Sequence, residues 1–274
     1  MGIKARQAGQ AGQAGEAHGS GDARERPNTQ LSGITELGAT VAENRREHFQ
    51  CISLIGQIEG HYLLPEGQKA TKYEHVIPLL VSIEEDDETD GLLVLLNTMG
   101  GDVEAGLAIA EIIASMRKPT VSLVLGGSHS IGVPLATAAK RSLIVPSATM
   151  TIHPVRVSGT VIGVPQSFRY MSEMQDRIVR FICAHSKADP RTINELMMRP
   201  DQIATDCGSI LEGDEAVRYG IIDEVGGLDR ALELLRAMLP SRQKPVKNKN
   251  KNSSHSQKSA EKTKKEAEKR EEGT

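Results

Sequence analysis

Two short stretches constrain this chain more than any others: GLLVLLN at 91–97 and TVSLVL at 120–125. Each is an almost unbroken apolar run, too short for a helix and the right length for a strand covered on both faces. Between them, VEAGLAIAEIIASM (103–116) repeats its apolar residues at intervals of three and four, the spacing of a helix with one buried face. Buried strand, helix, buried strand is a βαβ unit, which demands parallel strands and a right-handed crossover.

The pattern continues on both sides. CISLIGQI (51–58) predicts a strand, and YEHVIPLLVSIEEDD (73–87) a helix with Pro78 in its first turns. A short helix is expected from Ser130 to Ala139, then strands at 142–146 and 148–154. A long amphipathic helix follows at 166–186, and DPRTINELMM (189–198) opens with a capping Asp and a Pro at the first helical position. SIL (209–211) reads as a strand, 212–220 as a helix stopped by Gly220, IIDEVGG as a strand and turn, and LDRALELLRAML as a last amphipathic helix. The expected fold class is α/β, a mostly parallel sheet with helices outside. Ligands of such sheets sit beyond the carboxyl ends of the strands.

This patterned region, 46–240, is flanked by two stretches of different composition. Residues 1–45 hold few large apolar side chains and include QAGQAGQAG, so a disordered tail is expected there. The stretch 241–274 carries 11 Lys and Arg against 5 Glu and is expected to be a second disordered tail, basic enough to meet an anionic surface. The whole chain has a formal charge of −3 and only 3% aromatics, which gives no platform for specific nucleic-acid binding. Three cysteines at unrelated spacings match no zinc pattern and read as free thiols. No run is long and apolar enough to span a membrane, and the N-terminus lacks a secretory core, so a cytoplasmic location is expected. No nucleotide-binding motif occurs, and neither cofactor nor metal is expected.

Three places could carry chemistry. In NTMGGDVEAG, Gly100 and Gly101 follow a buried strand, where backbone N–H groups near a helix start could face a developing negative charge; a plain tight turn uses the same residues. In GGSHSIG, Ser130 stands where a helix should begin, with Ile131 supplying the next N–H. Such a serine is either a nucleophile beside an oxyanion site or an N-cap. In TMTIHPV, His153 ends a strand, where an imidazole is either structural or a general base.

Taken in order, NTMGG, GGSHSIG, TIHP and EGDEAVRYGIIDEVGG resemble the motifs of the Clp protease proteolytic subunit, over about Cys51 to Leu239. The extended tails and the NTMGGD wording point to a translocation-linked branch of that family rather than to the housekeeping peptidase. The resemblance implies a fold of repeated ββα units shared with the crotonase superfamily. It also implies Ser130 as nucleophile, His153 as general base, and Gly101 and Ile131 as oxyanion-hole donors. It implies a homo-oligomeric ring acting on peptide or protein substrates, with the long helix 166–186 as interface element through Phe168, Met171, Met174, Ile178 and Phe181; ordinary core packing would use the same residues. An ATPase partner belongs to the family picture and is left open. The acid of the triad departs from the pattern, because IATDCGSILEGDEAV is about two residues short. Ungapped alignment places Ala204 at the acid position. A short deletion places Asp206 there, which is preferred, with Asp201 next and Asp223 assigned to structure. Two rivals remain: a crotonase-like acyl-CoA enzyme working through carboxylates, and a catalytically weak or inactive Clp-like scaffold.

Overall fold

The computed structural model describes residues 39–43, 47–157, 162–200, 203 and 207–240. Both expected tails fall largely outside them: of 1–45 only 39–43 are described, and of 241–274 none.

Among the described residues there are nine strands and seven helices. In chain order they are β1 (Ala39–Glu43), β2 (His48–Glu59), β3 (Ala70–Lys72), α1 (Tyr73–Glu85), β4 (Gly91–Gly101), α2 (Val103–Ser115), β5 (Thr120–His129) and α3 (Gly132–Thr137). Then come β6 (Arg141–Ile144), β7 (Thr149–Ile152), α4 (Pro165–Ala184), α5 (Pro190–Met197), β8 (Ser209–Glu212), α6 (Gly213–Arg218), β9 (Glu224–Val225) and α7 (Leu228–Met238). Strand order is β1-β2-β4-β5-β6-β9 in a single sheet, with β3 on β2 and β7 between β5 and β8. All pairings are parallel except β1 with β2 and β7 with β8.

The two apolar runs form the middle of this sheet. Leu92, Val94 and Leu96 on β4, and Val121, Leu123 and Val124 on β5, are buried. Ile109 and Ile113 of α2 belong to one continuous core with Leu92, Val94, Leu96, Leu54, Leu80, Ile131 and Leu135. Asp102 caps α2 by accepting the Ala105 N–H at 2.8 Å, and Asp189 caps α5 with bonds from Arg191 and Thr192.

The expected elements are present, with informative differences. β4 and β5 run four residues past their apolar cores, through Gly101 and His129. Ladder pairing continues there although side-chain hydrophobicity stops: Gly100 and Gly101 pair with β2, and Gly127–His129 pair with β7. β5 thereby changes partner, from β6 at Val121–Val124 to β7 at Gly127–His129. Pro78 lies in the second turn of α1, within the first turns as expected. The short helix begins at Gly132, not Ser130, and all six residues of α3 are buried. β1 falls inside the stretch expected to be tail, and β3 is too short to show in the sequence. α4 divides along its length: Ile178 and Phe181 pack into the core, whereas Phe168 is 72% exposed.

Asp223, next to β9, ties β9 to β6. Its carboxylate accepts from Ser142 N–H at 3.0 Å and pairs with Lys187 at 3.0 Å and Arg141 at 3.3 Å. Burial pushes its pKa up, but the bonds from Lys187 and Ser142 and the charge of Arg141 outweigh that and hold it below the ordinary aspartate value. A depressed folded-state pKa means stability that is present at neutral pH and lost as pH falls below about 4. The melting-temperature gap between wild type and Asp223→Asn should therefore be widest near neutral pH and close progressively in acid; a gap that widens on acidification would contradict this.

Candidate active site

The site begins where β4 ends. Thr98, buried, donates its hydroxyl hydrogen to Gly56 O at 2.6 Å and accepts the Gly100 N–H at 3.1 Å. These two bonds from one side chain fix the path of the glycine pair. Gly100 has φ +88°, and a Cβ there would lie 2.7 Å from both His129 O and Ser130 Cβ. Only a residue without a side chain lets this backbone touch the turn after β5. The connection to β2 then uses the Asp102 N–H, which donates to Ile58 O at 3.0 Å.

Ser130 occupies that neighbouring turn with φ 58°, the sole positive φ outside glycine among the described residues. A non-glycine residue in this region is strained by roughly 1–2 kcal/mol, which the surroundings must overcome. They do so by gripping the backbone: Ser130 N–H donates to Thr151 O at 2.8 Å, and Ser130 O accepts from Val133 N–H at 3.0 Å. The cap position of α3 is Ile131, and no side chain caps it. Ser130 is thus not an N-cap, and its hydroxyl makes no hydrogen bond among the described residues.

The other serine of the motif has a different task. Ser128 is fully buried and donates to Gly132 O at 2.6 Å, tying the end of β5 to the start of α3. Ser128→Ala should cost about 1 kcal/mol of stability by removing a buried hydrogen bond between β5 and α3. Urea denaturation would show it, and an unchanged midpoint would contradict the assignment.

His153 follows β7 and lies in the same pocket as Ser130. Its Nδ1 is 2.7 Å from Pro154 O. A carbonyl oxygen only accepts, so Nδ1 carries the hydrogen and Nε2 presents a lone pair, the tautomer a general base needs. Gly208, just before β8, comes so close that a Cβ on it would sit 2.9 Å from His153 Cβ. The pocket has a volume of about 290 Å³ and is lined by Gly100, Gly101, Ser130, Ile131 and His153, with Met99, Ile178, Ile182 and Met197 as its apolar wall. Four of the five residues expected at the site, Gly101, Ser130, Ile131 and His153, therefore meet in one cavity.

The fifth, Asp206, lies outside the described residues, as do Asp201 and Ala204. Asp223 does not line the pocket, and no other carboxylate does so among the described residues. No group of three or more metal-ligating side chains is found among the described residues, and no described helix is long and apolar enough to cross a membrane. Cys51, Cys183 and Cys207 form no disulfide. Burial pushes the Cys51 thiol up to about 11, so it stays protonated and unreactive.

Three supporting groups lie outside what the sequence reading singles out: Thr98, Thr151 and the Pro154 carbonyl. Thr98 sits inside the NTMGG motif and Thr151 two positions before the histidine, so both adjoin the signal. A backbone carbonyl leaves no trace in a sequence.

Comparison with known proteins establishes the family. The family model described as Clp protease matches residues 46–228. The translocation-enhancing protein TepA of Halalkalibacterium halodurans is 51% identical over 221 residues, covering 80% of this chain and 86% of the relative. The ATP-dependent Clp protease proteolytic subunit of Leuconostoc citreum is 24% identical over 190 residues, covering 66% of this chain and 90% of the relative. Among solved structures, a mutant ClpP1 from Listeria monocytogenes superimposes with a TM-score of 0.53 at 22% identity, over 66% of this chain and 94% of that one, and so shares the fold. With the family model spanning the sheet from β2 through the pocket to β9, the chain belongs to the Clp protease family.

Proposed function

We propose that the chain is a serine endopeptidase that cleaves peptides or proteins by acyl transfer and serves protein translocation. The observation that carries the proposal is Ser130 itself: a strained residue, not a cap, with its hydroxyl uncommitted in a pocket shared with an imidazole. Structures relieve strain unless something is gained by keeping it.

In the proposed reaction, Ser130 Oγ attacks the scissile carbonyl carbon while His153 Nε2 takes the hydroxyl proton. The carbonyl oxygen becomes an oxyanion facing the N–H groups of Gly101 and Ile131; among the described residues the Ile131 N–H meets no other acceptor. Collapse breaks the C–N bond, with His153 returning the proton to the leaving amine. Water then attacks the acyl-enzyme by the same route and regenerates Ser130. Asp206 is proposed as the acid that orients and steadies the imidazolium, because it lies two residues before Gly208, whose backbone abuts His153.

Similarity to the TepA relative supports the link to translocation. Family membership supports assembly into a ring, for which the exposed first half of α4, including Phe168, is the proposed contact. The sequence has no nucleotide-binding motif, so any ATP use rests with a partner, and the expected cytoplasmic location fits that arrangement. The described pocket residues offer a serine and a histidine rather than carboxylates, which favours this reading over the acyl-CoA one.

One feature favours a slower site or a scaffold: the segment IATDCGSILEGDEAV, expected to carry the triad's acid, is about two residues short of the family pattern. The test is cleavage of an unfolded protein such as casein by wild type, Ser130→Ala and Asp206→Asn, alongside secretion in cells carrying each variant. For a peptidase, cleavage and secretion should fall together. Undiminished secretion with Ser130→Ala would establish the scaffold instead.

A further inference from the structure

A second imidazole adjoins the nucleophile candidate. His129 is the last residue of β5, and its ring folds back over Gly127 on the same face of the strand. A Cβ at Gly127 would lie 2.3 Å from His129 Nε2, so the ring fills the space a side chain there would take. At the other side of the ring, His129 Nδ1 is 2.9 Å from Thr151 Oγ1. Thr151 is also the register partner of His129 between β5 and β7, and its carbonyl accepts the Ser130 N–H at 2.8 Å. One residue of β7 thus holds the side chain before the turn and the backbone of the turn itself. Two residues beyond it stands His153.

We infer that His129 is a positioning residue for the Ser130 and His153 pair: through Thr151, its imidazole ties the strand end that carries the nucleophile to the strand that carries the base. This rests on the reading of Ser130 as nucleophile. Packing alone does not require histidine at 129. An aromatic ring of similar size would fill the room over Gly127 without bonding Thr151.

The electrostatics suit such a role. Burial first, and then the charge of His153, hold the His129 imidazole below its ordinary range. Of the elements packed against the ring, the end of β7 brings His153, whose charge acts on it, and β5 itself brings Gly127. Both effects favour a neutral His129 beside a His153 that cycles through imidazolium. His129 then keeps its hydrogen bond without opposing the charge that develops beside it.

The experiment combines two readouts on full-length protein. The first is the rate of labelling by a fluorophosphonate probe in wild type, His129→Ala, His129→Asn, Thr151→Val and the double variant His129→Ala/Thr151→Val. Asparagine can place a polar atom where Nδ1 stood. The second is hydrogen exchange at the Ser130 amide, which reads the tether whether or not the site is active. Expected are labelling rates roughly tenfold lower in His129→Ala and in Thr151→Val, with the double variant no worse than either, and a rate within about twofold of wild type in His129→Asn. Ser130 amide exchange should speed up in the first two and return toward wild type in the third. Equal losses in His129→Ala and His129→Asn, or Ser130 exchange unchanged by His129→Ala, would overturn the inference. If wild type is not labelled at all, the peptidase reading fails, and exchange alone then decides for or against the tether.

Discussion

Ser130→Ala should lower peptide hydrolysis by roughly three to six orders of magnitude while leaving the folded state nearly as stable as before. The two halves of that statement have separate causes. Removing the hydroxyl removes the only atom proposed to form the acyl bond, so the loss falls on the chemical step. Stability barely changes because the hydroxyl has no hydrogen bond among the described residues and Ile131, not Ser130, holds the cap position. Were Ser130 a cap, the same change would cost about 1 kcal/mol. Ser130→Gly sharpens the contrast. With φ at 58°, glycine relieves the strain that serine bears, so this inactive variant should be more stable than wild type by about 1 kcal/mol in urea unfolding. Loss of activity with a gain of stability is the signature of a residue kept for chemistry; destabilisation by Ser130→Gly would contradict it.

Gly100→Ala should damage both fold and site. Its φ of +88° is costly for any side chain, and the new Cβ would lie 2.7 Å from His129 O and from Ser130 Cβ. Neither neighbour yields easily: His129 is tied to Thr151 and Ser130 is gripped at both N–H and C=O. The expected outcome is a destabilisation of about 2–4 kcal/mol and, in the protein that remains folded, labelling slowed by roughly 100-fold as the nucleophile is displaced. Adding Ser130→Gly should recover part of the stability, because one of the two clashes disappears with the serine Cβ. Full wild-type stability for Gly100→Ala would mean the glycine turn does not touch the nucleophile turn.

Much of this molecule is legible in its sequence, and what is not has physical reasons. GLLVLLN and TVSLVL must be buried strands because nothing else hides so continuous an apolar run, and α2 between them follows from its period. Their last four residues are not legible, because backbone pairing at Gly101 and His129 does not depend on apolar side chains. The start of α3 reads two residues early for a related reason. A serine before a helical pattern signals a cap, and side-chain propensity carries no mark of the left-handed backbone that makes Ser130 something else. The choice of Ser130 over Ser128 comes from the order of four motifs, and burial of Ser128 against Gly132 O gives it a physical basis. The triad's acid is the least legible feature: a shortened segment shifts the register between Ala204 and Asp206, and those positions lie outside the described residues.

The central claim is that Ser130 is an activated nucleophile. The most direct measurement is peptide mapping by mass spectrometry after treating native full-length protein with a fluorophosphonate. A single adduct is expected on the peptide containing GGSHSIG, localised to Ser130, absent after denaturation before treatment and absent in Ser130→Ala and His153→Ala. An adduct on Ser128, or none on native protein that is folded and assembled, would contradict it.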